Sequence, residues 1–173
     1  MQFLAISGSL RSASTNAGLL NALQGFMPDG CQINRYDELA DLPIFNPDLE
    51  GSNTPAVVER LATQVSDADG LIVSSPEYVH GIPGGLKNLF DWLTSRFEVV
   101  DKPILVVHAS HRGDIALDAL LDVLGTLSKK TVPEISIRIP LVSCTPEEVR
   151  KTIAQPEYSG MIASGLDKFI ASI

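Results

Sequence analysis

The sequence predicts an α/β protein built on a single parallel sheet. Short apolar runs of strand length alternate with longer segments of helical periodicity along the whole chain. Three of the runs, FLAI, LIV and ILVV, are continuously apolar, as expected of strands that helices cover on both faces. The chain has 173 residues and no low-complexity linker, so we expect one domain over residues 1–173.

Strand patterning also predicts the order of the sheet. Strands are expected near Gln2 to Ser7, Cys31 to Tyr36, Gly70 to Ser75, Pro103 to Ala109 and Val132 to Ile139. The second and fifth alternate apolar and polar residues, which is typical of edge strands with one exposed face. This favours the doubly wound, flavodoxin-like order 2-1-3-4-5, in three α/β/α layers, over the dinucleotide-fold order 3-2-1-4-5. A ligand crevice is then expected between the carboxyl ends of the first and third strands.

Helices are predicted between the strands and after the fifth. Periodicity and capping signals place them near Asn16 to Phe26, Thr54 to Val65, Pro83 to Leu93, Ile115 to Leu127, Thr145 onward and Gly160 to Ala171. In the fourth, Leu117 and Leu121 widen the apolar face beyond what one sheet would cover, which predicts a subunit interface. Trp92 lies off the apolar stripe of its helix and is likewise expected to face a partner subunit.

Composition excludes several classes of function. Thirteen basic against 21 acidic residues give a net charge of -8, which disfavours nucleic acid and anionic membranes as partners. No apolar run approaches the roughly 18 residues of a membrane span, and no leader peptide is recognisable, so we expect a cytoplasmic protein. Cys31 and Cys144 form no CxxC pair, which indicates reduced, buried thiols and neither a disulfide framework nor a metal site.

A first chemical motif follows the first strand. SGSLRSASTN, residues 7–16, places Gly8, the hydroxyl groups of Ser9, Ser14 and Thr15, and Arg11 at the start of a helix. Convergent donors, one full positive charge and a helix N-terminus are what a phosphate monoester needs. The Walker A and GxGxxG patterns are absent, which argues against nucleoside triphosphates and a standard dinucleotide site. A serine-rich turn that only caps its helix remains the alternative.

A second motif follows the third strand. SSPEYVHGIPGGLKNLFDWL, residues 74–93, crowds prolines and glycines before a helix. A rigid loop of this kind leaves backbone N–H and C=O groups free to bind a flat, polar-edged ring, with Tyr78 against the ring face. The alternative is a turn that is rigid for structural reasons alone. The pairing of both motifs at one sheet edge favours binding.

Together, GSLRSASTN at 8–16 and SPEYVHGIPGGLKNLFDWL at 75–93 resemble the NAD(P)H-dependent FMN reductases, a flavodoxin-like family that includes quinone, azo-dye and chromate reductases. DLPIFNPDLE at 41–50 extends the resemblance, so that it covers most of the chain apart from its last 30 residues or so. The resemblance implies that FMN is bound by the residues matching Ser9, Arg11, Ser14, Thr15 and Asn16 around the phosphate. It implies a ring site at Pro76, Glu77, Tyr78, Val79, His80 and Gly81, closed by Ala109 and Ser110.

Two departures from the family pattern concern the same site. Val79 stands where many members have Asn, so a main-chain contact to the flavin can persist but a side-chain amide contact cannot. SHRGD, residues 110–114, replaces a glycine-rich stretch and places His111 and Arg112 near the expected mouth of the site. His80 and His111 are the candidate proton donors to an acceptor, whereas His108, within the fourth strand, is expected to be a core residue. The resemblance makes Glu77 a loop-shaping residue.

The resemblance implies an enzyme in which the flavin does the chemistry and no side chain is strictly catalytic. Hydride would pass from NAD(P)H to FMN, and two electrons would then reach a quinone, a free flavin, an azo compound or a metal oxyanion, by a ping-pong mechanism. A homodimer or homotetramer is expected, and the sequence does not choose between NADH and NADPH. The alternatives are a flavodoxin-like electron carrier without NAD(P)H activity and a flavin-free binding module.

Overall fold

A computed structural model describes residues 1–110, 113–131 and 136–173 of the chain. Its five parallel strands are β1 (Gln2–Ser7), β2 (Gln32–Tyr36), β3 (Gly70–Ser74), β4 (Ile104–His108) and β5 (Ile137–Arg138). They are ordered β2-β1-β3-β4-β5, so the predicted flavodoxin-like topology is confirmed. Residues 132–135 of the predicted fifth strand lie outside the described residues.

Six α-helices connect and follow the strands. They are α1 (Thr15–Leu23), α2 (Ala56–Asp67), α3 (Gly84–Leu93), α4 (Asp114–Leu127), α5 (Pro146–Ile153) and α6 (Pro156–Ala171). The first predicted helix ends earlier than expected, because the chain tightens into a 3₁₀ turn at Gln24–Phe26. Further 3₁₀ turns at Leu39–Asp41, Pro47–Leu49, Gly51–Asn53 and Phe97–Val99 connect the regular elements.

Two apolar cores lie on opposite faces of the sheet. On one face, Leu4, Leu71 and Val106 pack with α2, α3 and α4. On the other, Phe3 and Ile72 pack with α1, α5 and α6. The helices after β1 and β3 therefore leave on opposite faces, as the topology requires, and a crevice opens between the two connections.

The structure corrects two expectations about subunit contacts. Trp92 is buried within its own chain, where its indole N–H donates to the Pro43 carbonyl at 2.8 Å and its ring meets Phe45 edge-on at 5.0 Å. Leu117 is also buried in the chain's own core, and Leu121 packs against it. None of these three side chains therefore indicates a partner. The face of α4 that packs inward is centred on Ala116, Leu117, Leu120 and Leu124.

Two further observations concern membrane-spanning helices and the two cysteines. No helix in the described part of the chain combines the length and apolar character of a membrane span. Cys31 and Cys144 are free thiols, and both are partly exposed rather than buried as expected.

Candidate functional site

A cleft of about 300 Å³ lies at the carboxyl edge of the sheet, where the loops after β1, β3, β4 and β5 meet. Clefts at this edge are the usual ligand sites of open α/β sheets. Ten of the predicted site residues line it: Ser9, Arg11, Ser14, Thr15, Asn16, Pro76, Glu77, Tyr78, Ala109 and Ser110. The two sequence motifs, about 60 residues apart in the chain, thus converge on one cavity.

Gly8 lets the two motif loops lie against each other. Its N–H donates to the Ser74 carbonyl at 2.8 Å, at the end of β3. A Cβ at this position would lie 2.8 Å from a Leu86 methyl carbon and 3.1 Å from the Ser75 hydroxyl oxygen. Any side chain at this position would therefore force either the Leu86 and Ser75 side chains or the first loop to move.

The start of α1 is fixed from three directions. The Ser14 hydroxyl caps the helix by accepting from the Ala17 N–H at 3.3 Å. The Thr15 hydroxyl donates to the Cys144 carbonyl at 2.9 Å, and the Asn16 side-chain oxygen accepts from the Ser74 hydroxyl at 2.9 Å. Three of the predicted phosphate ligands, Ser14, Thr15 and Asn16, thus use side-chain groups to anchor the helix. What they offer the cleft is the unpartnered backbone N–H groups of a first helical turn.

Arg11 provides the cationic side of the cleft. It lies exposed on the first loop, and no carboxylate in the described part of the chain forms an ion pair with it. Its backbone N–H donates to the Ser9 hydroxyl at 3.4 Å, which links the two predicted phosphate ligands. The guanidinium is therefore available to an anion at the α1 terminus.

Residues 78–81 form a tight hairpin. The Tyr78 N–H donates to the Gly81 carbonyl at 3.1 Å, and the Gly81 N–H donates back to the Tyr78 carbonyl at 3.0 Å. Val79 and His80 occupy the turn with φ values of 52° and 56°. Tyr78 lines the cleft, whereas Val79, His80 and Gly81 do not. The side chains of Val79 and His80 therefore do not line the cavity, and Gly81 has no side chain.

Glu77 ties the second loop to the start of α4. One carboxylate oxygen accepts from the Ala116 N–H at 3.3 Å, and the other lies 3.3 Å from the His80 ring nitrogen Nδ1. Gly113 has a φ of 89°, and a Cβ there would lie 3.0 Å from the Glu77 carboxylate. The carboxylate thus sits at a helix N-terminus, where negative charge is favoured, and shapes the loop.

The loop after β4 closes the cleft opposite the motif loops. Ala109 is buried and lines the cavity beside Ser110. His108 is buried, as expected of a core residue, but it also contributes to the cleft wall. The candidate residues His111 and Arg112 lie outside the described residues.

Sequence reasoning missed a fourth wall, formed by the loop after β5. Leu141, Val142 and Ser143 line the cleft, and Ser143 takes a φ of 63°. The loop ends in a capping box, in which the Thr145 N–H donates to the Glu148 carboxylate at 2.7 Å and lowers the pKa of that group. The TPEE pattern after a strand was the available signal, because a helix that begins at the carboxyl edge brings its preceding loop to the crevice. Ser75, His108 and Gly113 are the other lining residues that were not predicted as part of the site.

The model of one protein family matches most of this chain. That family, NADPH-dependent FMN reductase, aligns with residues 1–141. The chain belongs to it. Among curated relatives of this FMN reductase family member, a quinone reductase of Escherichia coli (strain K12) is 35% identical over 113 residues, which cover 64% of this chain and 60% of that protein. An NAD(P)H-dependent FMN reductase of Pseudomonas aeruginosa is 37% identical over 112 residues, again 64% of this chain and 60% of that protein.

Solved structures support the fold of this family member. The flavoenzyme NAD(P)H:(acceptor) oxidoreductase FerB of Paracoccus denitrificans superposes with a TM-score of 0.79 at 22% identity, over 98% of this chain and 95% of that one. An oxidised flavodoxin of Bacillus cereus superposes with a TM-score of 0.63 at 14% identity, over 100% and 99% of the two chains. At these identities the likeness establishes the flavodoxin-like fold. The match to the curated relatives spans about 60% of their length.

The cleft of this FMN reductase family member suits a flavin mononucleotide. At one end, Arg11, the hydroxyls of Ser9 and Ser14 and the first turn of α1 form a donor set for a phosphate dianion. At the other end, the loop that carries Tyr78 and the loop that carries Ala109 form two walls of the cleft, with space between them for the ring system. The absence of a side chain at Gly8 lets the first motif loop lie close to Ser75 and Pro76 in the second.

Proposed function

We propose that this protein is an FMN-dependent NAD(P)H oxidoreductase that reduces small acceptors. The observation that carries the proposal is the convergence of the phosphate-type loop and the Pro76–Gly81 loop on one cleft. For a quinone the balanced reaction is NAD(P)H + H⁺ + quinone → NAD(P)⁺ + hydroquinone. Free flavins, azo compounds and metal oxyanions are further acceptors of the same proposal.

The chain's own residues would hold FMN in two parts. Ser9, Arg11, Ser14 and the N–H groups of Thr15 and Asn16 would bind the phosphate. Pro76, Glu77 and Tyr78 would lie beside the ring system, with Ala109 and Ser110 on the other side, and the turn residues Val79, His80 and Gly81 would contribute main chain alone. When bound, FMN supplies the redox chemistry, since it takes a hydride from NAD(P)H and passes two electrons to the acceptor.

Backbone dipoles of the second loop would stabilise negative charge on the pyrimidine edge of the ring. The Tyr78 and Gly81 N–H groups are already used in the hairpin, so we assign this role to the N–H groups of Val79 and His80. A hydroquinone also needs protons. His80, exposed beside Glu77, is the candidate donor that the structure describes, and His111 is the other.

Anaerobic addition of NADPH or NADH to the FMN-loaded protein tests the proposal. We expect prompt loss of the visible flavin absorption, and the two rates would identify the preferred nicotinamide. Bound FMN that stays oxidised would contradict the proposal and favour an electron carrier, for which the flavodoxin-like fold provides a precedent. A protein that binds no FMN would contradict both.

Initial rates at varied NAD(P)H and acceptor concentrations test the proposed ping-pong order. Parallel lines in a double-reciprocal plot are expected, because donor and acceptor would use the same open cleft in turn. Intersecting lines would show that both bind together.

We further propose that the protein forms a homodimer or homotetramer in the cytoplasm. Exposed apolar side chains support assembly: Ile44 is 82% exposed, Phe97 89% and Ile115 60%. Two free thiols are consistent with a reducing compartment. Sedimentation at micromolar concentration should give two or four times the chain mass of 18.6 kDa. A species with the mass of one chain would contradict assembly.

A further inference from the structure

Val79 combines three features that are unfavourable for the isolated chain. Its φ of 52° lies in the left-handed region, which β-branched residues avoid. It occupies a two-residue hairpin turn in which both φ values are positive, where Asn and Gly are the preferred residues. Its side chain is 99% exposed, so the strain is not compensated by packing within the chain.

The turn itself does not require a valine. The two Tyr78–Gly81 hydrogen bonds, at 3.1 and 3.0 Å, are made by backbone groups and would form equally well around Asn. Strain that local structure does not explain occurs preferentially at functional sites. This strain therefore indicates that the Val79 isopropyl group does something other than stabilise the isolated chain.

The position of the turn indicates that role. Tyr78, the preceding residue, lines both the flavin cleft and an adjoining depression of about 310 Å³, which also includes Leu10. Leu10, Tyr78 and Val142 are 63%, 47% and 53% exposed. Leu10 lines the depression, Val142 lines the cleft and Tyr78 lines both, so three exposed apolar side chains border these adjoining spaces beside the turn that carries Val79.

We propose that Val79 is a specificity-determining residue that contacts the electron acceptor and selects flat apolar rings over hydrophilic acceptors. This inference rests on the proposed function. A ring that enters the cleft would cover the isopropyl group and remove its apolar surface from water. Reduction of a naphthoquinone takes two electrons and two protons. NAD(P)H supplies both electrons and one proton, and solvent supplies the other proton.

Two variants separate apolar contact from backbone strain. Val79→Asn removes the apolar group and relieves the left-handed strain, whereas Val79→Thr keeps the branched shape and the strain but replaces a methyl with a hydroxyl. Both are assayed with saturating FMN, using 1,4-naphthoquinone and ferricyanide as acceptors. We expect the ratio of kcat/KM for naphthoquinone to that for ferricyanide to fall in both variants, by roughly five- to tenfold for Val79→Asn.

Two readouts do not depend on turnover. Equilibrium binding of naphthoquinone to the oxidised protein, followed by quenching of flavin fluorescence, should weaken in both variants. Thermal unfolding of the flavin-free protein should shift upward by about 2–4 °C in Val79→Asn alone, because only that variant relieves the strain.

The outcomes distinguish this inference from the proposed function. An unchanged acceptor ratio and unchanged quinone binding in both variants would overturn the role of Val79 while leaving the reductase intact. A fall in the ratio for Val79→Asn alone would also overturn it, since backbone strain rather than apolar contact would then set the preference. A wild-type protein that reduces neither acceptor with NAD(P)H would instead refute the proposed function.

Discussion

Arg11 carries the only Lys or Arg charge among the described residues that line the cleft. The chain as a whole has a net charge of -8, so a phosphate dianion that approaches the α1 terminus meets repulsion from most of the surface. Hydroxyls and helix N–H groups contribute partial charges, but one guanidinium provides the full positive charge. Binding of a phosphorylated flavin should therefore depend strongly on this residue.

Replacement of Arg11 by Ala should weaken FMN binding by about 1.5–3 kcal/mol, the usual contribution of a hydrogen bond to a charged group. Calorimetric titration of the flavin-free protein measures the difference. Arg150→Ala removes an exposed cation on α5 that does not line the cleft, and it should leave the affinity unchanged. Equal affinity in the two variants would remove Arg11 from the phosphate site.

At the scale of residues, the sequence allowed the polar side chains of the first loop to be placed at the cleft, but it did not predict the turn geometry. Ser9, Arg11 and Ser14 were identifiable because hydroxyl and guanidinium groups at a strand-to-helix turn have a recognisable chemistry. The outward positions of Val79 and His80 and the strained backbone of Ser143 were not predictable, since residues other than Gly and Asn carry no sequence signal for a positive φ.

The conformation at the N-terminus of α4 depends on a glycine, Gly113. Gly113→Ala should destabilise the protein by about 1–2 kcal/mol, because its φ of 89° is costly for alanine and the new methyl would approach Glu77. Gly125→Ala, within the same helix and with no neighbouring atom within 4 Å, should stabilise it by about 0.5–1 kcal/mol. Urea unfolding measures both, and changes of the same sign would contradict the described start of α4.

The capping box of α5 should contribute stability that depends on pH. Thr145→Ala should cost about 1 kcal/mol in urea unfolding at neutral pH, whereas Thr152→Ala, later in the same helix, should cost nothing.

Hydrogen bonds from the Thr145 N–H and hydroxyl hold the pKa of Glu148 below its ordinary value of 4.5. A lowered native pKa stabilises the fold above the unfolded value, and this contribution disappears as the pH falls through the native pKa. The stability difference between wild type and Glu148→Gln should thus shrink once the pH falls below about 4.5. A difference that grows toward acid would contradict it.

At the scale of elements, the strand order was predictable and the lateral contacts of the helices were not. Alternation in the second and fifth strands identified them as edges, because one face of an edge strand meets solvent. The prediction that Trp92 faces a partner subunit was wrong, because helical periodicity shows only that a residue lies off the main apolar stripe and not what covers it. The loop at Pro43 and Phe45, which covers the indole, has no periodicity that could announce the contact.

Across the whole molecule, FMN should raise thermal stability, because the cleft joins loops from four strands. At a concentration 100 times its Kd, FMN should stabilise the fold by about 2.7 kcal/mol. This corresponds to a rise of about 5–10 °C in the unfolding midpoint. Riboflavin at the same concentration, which lacks the phosphate, should produce a smaller rise, and an equal rise would show that the α1 terminus is not the phosphate site.

The contact between α1 and α5 gives the chain's last fifth a mechanical part in recognition. Gly18 passes so near to Pro146 that an added Cβ would lie 3.3 Å from its Cα, and the Thr15 hydroxyl reaches the Cys144 carbonyl one turn away. The tail beyond residue 141, outside the span that the family model matches, therefore holds in place the first turn of α1, which we propose binds the FMN phosphate. Transplanting the two motif loops into another parallel sheet would reproduce the sequence of the site. Without an equivalent of the α5 contacts, the first turn of α1 would not be held in the same position.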